Sequence, residues 1–233
     1  MNTRVFKITA KTNLHVGNES GGDFTIIDKA IQRDPLTGLP CINSSSLKGA
    51  IKEYCVHEAC LNNVAELFGS DIDPKTGKIK DKDKTQKGNA FFFDAKLLLL
   101  PQQDDNTLFQ YVTTQGIINM MNERLSLLKS DINFALPATY PEGKLAKPVK
   151  PISEKEMEAC CSDDNLPIIA RNVLENGESK NLWYEQVLPS ETVLYTIIQE
   201  EGEELKNALD GKLVQIGANA TIGYGYCKFE LLK

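Results

Sequence analysis

The stretch NAFFFDAKLLLL, residues 89–100, constrains the fold most. Its three phenylalanines and four leucines read as one strand lying centrally in a sheet, because so apolar a run needs paired edges and covered faces. Residues 4–12 alternate imperfectly through Val5, Ile8 and Ala10 and are expected to form the first strand. The serine run at 44–46 precedes Leu47, Ala50, Ile51, Tyr54 and Cys55 at helical spacing, so a helix is expected to begin there with its free amides capped by hydroxyls. Residues 116–128 predict a second helix through Ile117, Ile118, Met121, Leu125 and Leu128. Two extended arms, 168–173 and 182–188, flank the turn ENGESKN; 193–199 follows as a strand and 203–209 as a short helix. Residues 213–232 read as one or two strands broken by Gly217, Gly223 and Gly225. Between 129 and 165 the periodicity fails among Pro137, Pro141, Pro148 and Pro151, which marks an irregular insertion. The element order predicts an α+β sandwich with helices on one face of an antiparallel sheet. At 233 residues the chain is expected to be one large domain with insertions.

The net charge of −6 and pI near 5.1 argue against uniform electrostatic coating of nucleic acid. The average hides a split: residues 1–99 hold 14 Lys/Arg against 12 Asp/Glu, whereas residues 100–233 hold 12 against 20. A polyanion is therefore expected at the N-terminal part. The densest basic stretch, Lys75, Lys78, Lys80, Lys82, Lys84 and Lys87, reads as a mobile surface loop that is either merely solvated or in contact with phosphates. Six cysteines lack C-x2-C spacing and are expected to be reduced thiols in a cytoplasm. Cys55, His57 and Cys60 lack a fourth metal ligand and read as buried small residues. No apolar run approaches the ~20 residues of a membrane helix, and residues 1–12 carry no apolar signal region. No membrane partner is expected.

Three constellations carry chemistry. His15 and Asp28 stand at opposite ends of a glycine-rich loop, where an imidazole transfers protons near neutral pH and a carboxylate holds a divalent ion or orients a hydroxyl. The plain alternative is a surface histidine and a turn-capping aspartate. In SSSLKGAIK a helix N-terminus, three hydroxyls and Lys48 suit a phosphate, although serine-capped helices are common. In IGANATIGYGYCKF the glycines let backbone approach a ligand and Tyr224 and Tyr226 can stack on bases, against the alternative of a glycine-bent strand pair. It is not the dinucleotide fingerprint.

Taken in order, LHVGNESGGDFTIIDKAIQRDPLTGLPCINSSSLKGAIKEY, LFGSD, FFFDAKLLLLPQQDDNTLFQYVT, NLWYEQVLPSETVLY and QIGANATIGYGYCKFE resemble the backbone subunits of type III-B CRISPR (Cmr) effector complexes, within the RAMP superfamily. The resemblance implies a modified RNA-recognition-motif fold of ferredoxin-like βαββαβ type, in one domain spanning 1–233 with thumb and lid insertions at about 70–88, 129–165 and 174–190. It implies copies stacked in a helical filament along a guide RNA with other Cmr subunits, and cleavage of complementary single-stranded target RNA at regular intervals. Asp28 matches the aspartate such subunits use for cleavage, His15 a second active-site position, and Glu185 a third. Guide-RNA contacts fall on Arg33, Ser45, Ser46, Lys48, Gly223, Tyr224 and Gly225. One departure is Asn43-Ser44-Ser45 where the family often has proline and glycine before its serine-lysine element. Cleavage is expected through the neighbouring 2'-hydroxyl. Carboxylates are poor bases at neutral pH, so Asp28 is expected to position that hydroxyl or a divalent cation, Mg or Mn, while His15 carries the proton. Sequence is read by base pairing, which leaves shape and backbone contacts to the protein. A scaffold that holds guide without cutting, a nuclease that processes precursor guide RNA, and an enzyme of phosphorylated metabolites are the competing readings.

Overall fold

A computed structural model describes residues 1–17, 27–70, 86–141 and 146–232. In chain order come β1 (Asn2–Ala10), β2 (Cys41–Ile42), α1 (Ser44–His57), α2 (Val64–Phe68), β3 (Phe91–Phe92), β4 (Ala95–Gln102), β5 (Gln110–Thr113) and α3 (Gln115–Leu127). There follow β6 (Thr139–Tyr140), β7 (Lys147–Pro151), α4 (Glu154–Cys160), β8 (Ile168–Glu175), β9 (Glu178–Gln186), β10 (Val193–Glu200), α5 (Glu204–Leu209), β11 (Leu213–Gln215) and β12 (Tyr226–Leu231).

The main sheet runs β11-β12-β1-β10-β4-β5-β7-β6, with β2 also on β4 and β3 also on β10. Within it, β1, α1, β4, β10, α5 and β12 follow one another in the βαββαβ order, and the strands lie β12-β1-β10-β4 with antiparallel neighbours. The α+β class and the ferredoxin-like core match expectation. The apolar strand is central: Leu97 to Leu100 are all buried in β4, which pairs with β2, β10 and β5. Phe6 and Phe229 pack edge to face at 6.1 Å across β1 and β12.

Two expectations are corrected. Helices cover both faces of the sheet. The α5 N-terminus is held by Glu200, whose carboxylate accepts the Leu205 and Lys206 N–H groups at 2.9 and 3.0 Å, while the end of α3 is tied by Leu128 O to the Thr3 hydroxyl at 3.0 Å. Thr3 pairs with Gln199 and Asn2 with Glu200, and adjacent strand residues face opposite ways, so α3 and α5 lie on opposite faces. Nor is 129–165 structureless. It holds β6, β7 and α4, with β7 parallel to β5 and α4 started by a Ser153–Glu156 capping box. Its prolines hid a strand: Pro148 and Pro151 lie in β7, which is held between β5 and the two-residue β6.

The β8–β9 hairpin forms its own two-stranded sheet and turns at Asn176 and Gly177, both at positive φ (53° and 84°), as a two-residue hairpin loop requires. Its outer half is exposed; its base, at Glu185 and Gln186, is buried in the main body. No helix among the described residues is long and apolar enough to cross a membrane. All six cysteines are free, and burial pushes the Cys55, Cys161 and Cys227 thiols up to about 12. Cys60 is exposed, as is His57, which pairs with Glu53 at 3.1 Å; neither is the buried residue expected. Lys75 to Lys84 lie outside the described residues.

Candidate functional site

The base of β9 brings the two loop-end residues together. After β1 the chain pairs Leu14 with Leu188 through two backbone hydrogen bonds of 2.9 Å, which places His15 beside Gln186. There His15 Nδ1 lies 2.7 Å from the Gln186 carbonyl oxygen. Farther along, the Asp28 and Lys29 N–H groups both donate to Tyr184 O at 3.1 Å, and the Tyr184 N–H donates to Asp28 Oδ2 at 2.7 Å. Carbonyls two residues apart point to the same edge of a strand, about 6.6 Å from one another. The Tyr184 and Gln186 carbonyls therefore set the Asp28 segment and His15 along one edge of β9. Asp28 is exposed; His15 is only 3% exposed, which corrects the plain reading of a surface histidine.

Glu185 lies between these carbonyls with its side chain 1% exposed. Lys29 Nζ (3.0 Å) and Trp183 Nε1 (2.8 Å) donate to one carboxylate oxygen, and Asn219 Nδ2 (2.8 Å) donates to the other. Burial pushes its pKa up, but the hydrogen bonds of Trp183, Lys29 and Asn219 and the charge of Lys29 outweigh burial and hold it down at about 2. A carboxylate so fully committed is an ionised clamp, and a poor proton carrier. It ties the Lys29 segment to the hairpin and to the C-terminal glycine loop, where Asn219 takes the left-handed conformation at φ 67°.

A second hub is Gln32. Its side-chain oxygen accepts the Asn43 N–H at 2.7 Å, and its nitrogen donates to Gly17 O at 3.2 Å and to Ser46 Oγ at 3.0 Å. It joins the segment after His15 to the start of α1. The expected serine caps are not formed: Asn43 occupies the cap position, and the Ser44 N–H donates instead to Asp94 Oδ1 at 2.7 Å. Burial raises the Asp94 pKa, but hydrogen bonds from Lys96 and Ser44 and the charge of Lys96 bring it below the usual carboxylate range. An internal carboxylate thus already sits at this positively polarised helix end. Ser45 is exposed and Ser46 half-buried. Lys48 packs over Phe92 at 5.8 Å, and burial followed by the charge of Lys52 lowers its pKa.

The other expected contacts divide. Arg33 donates to Gly38 O and Cys161 O at 3.0 and 2.8 Å and pairs with Asp163 at 2.8 Å, so its guanidinium is spent inside the chain. Gly225 is buried at φ 79°, and a Cβ there would collide with Ile216 O, so this glycine serves close approach of two backbones and not of a ligand. Gly223 has open space around it, and Tyr224 is half-buried beside it. An open groove runs from Gly17 and Ser46 to Gly217, along the Gly49 and Ala50 face of α1.

Sequence reasoning missed Gln32, Gln186, Asp94 and Asn219. Gln32 lies within the IQRD segment and Gln186 beside Glu185, but their partners stand 11 to 171 residues away and no local pattern gives them. Among the described residues no cluster of three or more His, Cys, Asp or Glu side chains could hold a metal.

Comparison with known proteins agrees with this architecture. A CRISPR system Cmr endoribonuclease, Cmr4, of Pyrococcus furiosus is 27% identical over 94% of this chain and 92% of its own length. Two solved structures share the fold. A chain of the type III-B Cmr-beta complex bound to cognate target RNA superposes with TM-score 0.72 at 20% identity, covering 99% of this chain and 97% of that one. Oligomeric Cmr4 from Pyrococcus furiosus superposes with TM-score 0.66 at 18% identity, covering 99% and 98%. The profile of the RAMP superfamily matches residues 7–228, and the chain belongs to that superfamily.

Proposed function

We propose that this chain is a repeated backbone subunit of a type III-B CRISPR effector complex, which binds guide RNA and cuts complementary target RNA at regular intervals. The observation that carries the reading is the placement of His15 and the exposed Asp28 along one edge of β9, with Val16 and Gly17, which follow His15, on the wall of an open groove. The relative's name, a Cmr endoribonuclease, supports the same reaction. Copies of the chain stacked along the guide, and other Cmr subunits, are the protein partners, and the β8–β9 hairpin acts as the thumb.

In this reading a 2'-hydroxyl of the target attacks its own phosphodiester. Asp28 orients that hydroxyl and His15 takes its proton. Among the described residues no protein-held metal centre is formed. Both oxygens of Glu185 are taken, and Asp28 has one carboxylate oxygen without a hydrogen-bond partner among the described residues. A divalent ion, Mg or Mn, would share that oxygen with RNA phosphates and supply charge neutralisation. Ser45, Lys48, Gly223 and Tyr224 face the guide, Ser46 and Arg33 brace the loops that carry them, and Gly225 shapes the C-terminal turn.

Asp28→Asn keeps an acceptor for the Tyr184 N–H while removing the charge. In the complex assembled on guide RNA, this variant is expected to retain guide and to lose cutting of a complementary target. Cutting at the wild-type rate would remove Asp28 from the reaction. Guide retained by the wild type with no fragments in the presence of Mg or Mn would leave a scaffold.

A further inference from the structure

Asp28 meets β9 at Tyr184, its N–H on the Tyr184 carbonyl at 3.1 Å and its carboxylate on the Tyr184 N–H at 2.7 Å. The position is exposed, so water competes for both bonds. The next residue carries a firmer hold. Lys29 donates its N–H to the same Tyr184 carbonyl at 3.1 Å, accepts the Gln186 N–H at 2.9 Å, and so forms a parallel bridge with Glu185. Across that bridge its ammonium lies 3.0 Å from Glu185 Oε1 and 5.0 Å from the centre of the Trp183 ring. Residues directly opposite or two apart in a hairpin share a face, so Arg171, Trp183 and Glu185 stand together. The Arg171 guanidinium is 5.8 Å from the same ring, with Nη1 3.6 Å from Glu185 Oε2. The carboxylate that Lys29 grips is itself fixed by Trp183 and Asn219, each donating at 2.8 Å.

We propose that Lys29 is a positioning residue of the site: its ammonium, seated on Glu185 and Trp183, pins the Asp28 peptide to β9 and fixes where the Asp28 carboxylate is presented. The proposal rests on the nuclease reading above. Lys29 acts through its neighbour and not on RNA, because its charge is turned to a carboxylate that is 1% exposed. Catalytic orientation is sensitive to small displacements, and backbone hydrogen bonds at an exposed strand edge do not by themselves prevent them. An ion pair one residue away, with its acidic partner held by two further donors, does. Since Trp183 and Glu185 belong to β9, the same contact fixes Asp28 relative to the hairpin that acts as the thumb.

Lys29→Met keeps the stem beside Trp183 and removes the ammonium. Arg171 remains next to Glu185, so the variant does not leave a buried carboxylate without a counter-charge. In the complex assembled on guide RNA, at saturating target, it is expected to cut about 10²-fold more slowly, the loss that a misplacement of about 1 Å produces. Guide content and the target concentration giving half the maximal rate are expected to stay at wild-type values. Lys29→Arg, which can reach Glu185 again, is expected to restore most of the rate. Adding Lys29→Met to Glu185→Gln is expected to slow cutting little further, because both break one contact. In the free chain, amide exchange at Asp28 and Lys29 is expected to quicken in Lys29→Met, while Leu14 and Leu188, hydrogen-bonded to each other at the same hairpin base, keep their wild-type exchange. A wild-type maximal rate or unchanged exchange in Lys29→Met overturns the proposal. So does a loss that appears as weaker target binding at an unchanged maximal rate, which would put the ammonium on the RNA. A wild-type complex that cuts nothing sinks the nuclease reading and the positioning role with it. Cutting that Asp28→Asn abolishes and Lys29→Met leaves intact removes only the role of Lys29.

Discussion

Glu185 is 1% exposed and yet ionised, because three hydrogen-bond donors, one of them the Lys29 ammonium, replace the water it has lost. Its folded pKa of about 2 lies below the unfolded value. The clamp therefore contributes stability above the unfolded pKa, near 4.3, and that contribution is lost as pH falls through about 2. Glu185→Ala leaves Trp183 and Asn219 without their acceptor and is expected to cost about 1–3 kcal/mol, seen as a lower urea midpoint at pH 7. The gap between variant and wild type should narrow as the pH is taken below 4; a gap that stays constant would mean that the charge contributes nothing. At this scale the sequence was legible in part: the imidazole and the carboxylate picked out by residue type both hang from one edge of β9, His15 at Gln186 and Asp28 at Tyr184. It was illegible where geometry decides, since the same glycine-rich string holds Gly225, packed against Ile216, and Gly223, which has open space.

The start of α1 was placed correctly from its serines, but its partner was not, because Asp94 lies 50 residues farther along and reaches Ser44 only once β4 has formed. Local pattern finds a helix end; long-range pairing decides what satisfies it. The β8–β9 hairpin is the opposite case. Its turn is written locally in Asn176 and Gly177, and it stands apart from the main sheet, with Val173, Leu174 and Leu182 exposed. Nothing lies within 4 Å of a Cβ at Gly177, so a substitution there acts through the backbone alone. Gly177→Val at φ 84° is expected to cost about 1–2 kcal/mol in the turn. Since the hairpin shares few contacts with the core, amide exchange should quicken across residues 173–182 while the melting temperature of the whole chain stays put. Exchange that is unchanged across this segment would show that the turn tolerates a branched side chain, and that the hairpin is held from its base.

Over the whole molecule the proposed function requires a net charge of −6 to coexist with binding a polyanion, which it can do only if cations are concentrated on one surface and acids are kept elsewhere. Part of the separation is internal. Asp34 and Asp94 flank Lys96 at 2.6 and 3.0 Å, and Glu185 is sealed behind Lys29, so these acids are neutralised within the fold. Lys48 is different: its neighbours are the Phe92 ring and a second cation, Lys52, and among the described residues no ion pair lowers the energy of its charge. A cation held beside another cation with its stem on an aromatic ring gains most when a phosphate arrives. Lys48→Met keeps the stem on Phe92 and removes the charge, which separates packing from electrostatics. Each phosphate neutralised on a single strand steepens the dependence of log K on log[salt] by about 0.7, so this variant is expected to bind guide RNA more weakly at low salt with a slope shallower by that amount. An equal slope and affinity would place Lys48 off the RNA path, and the anion-binding role of the serine-lysine turn would then have to rest on its exposed backbone and Ser45 alone.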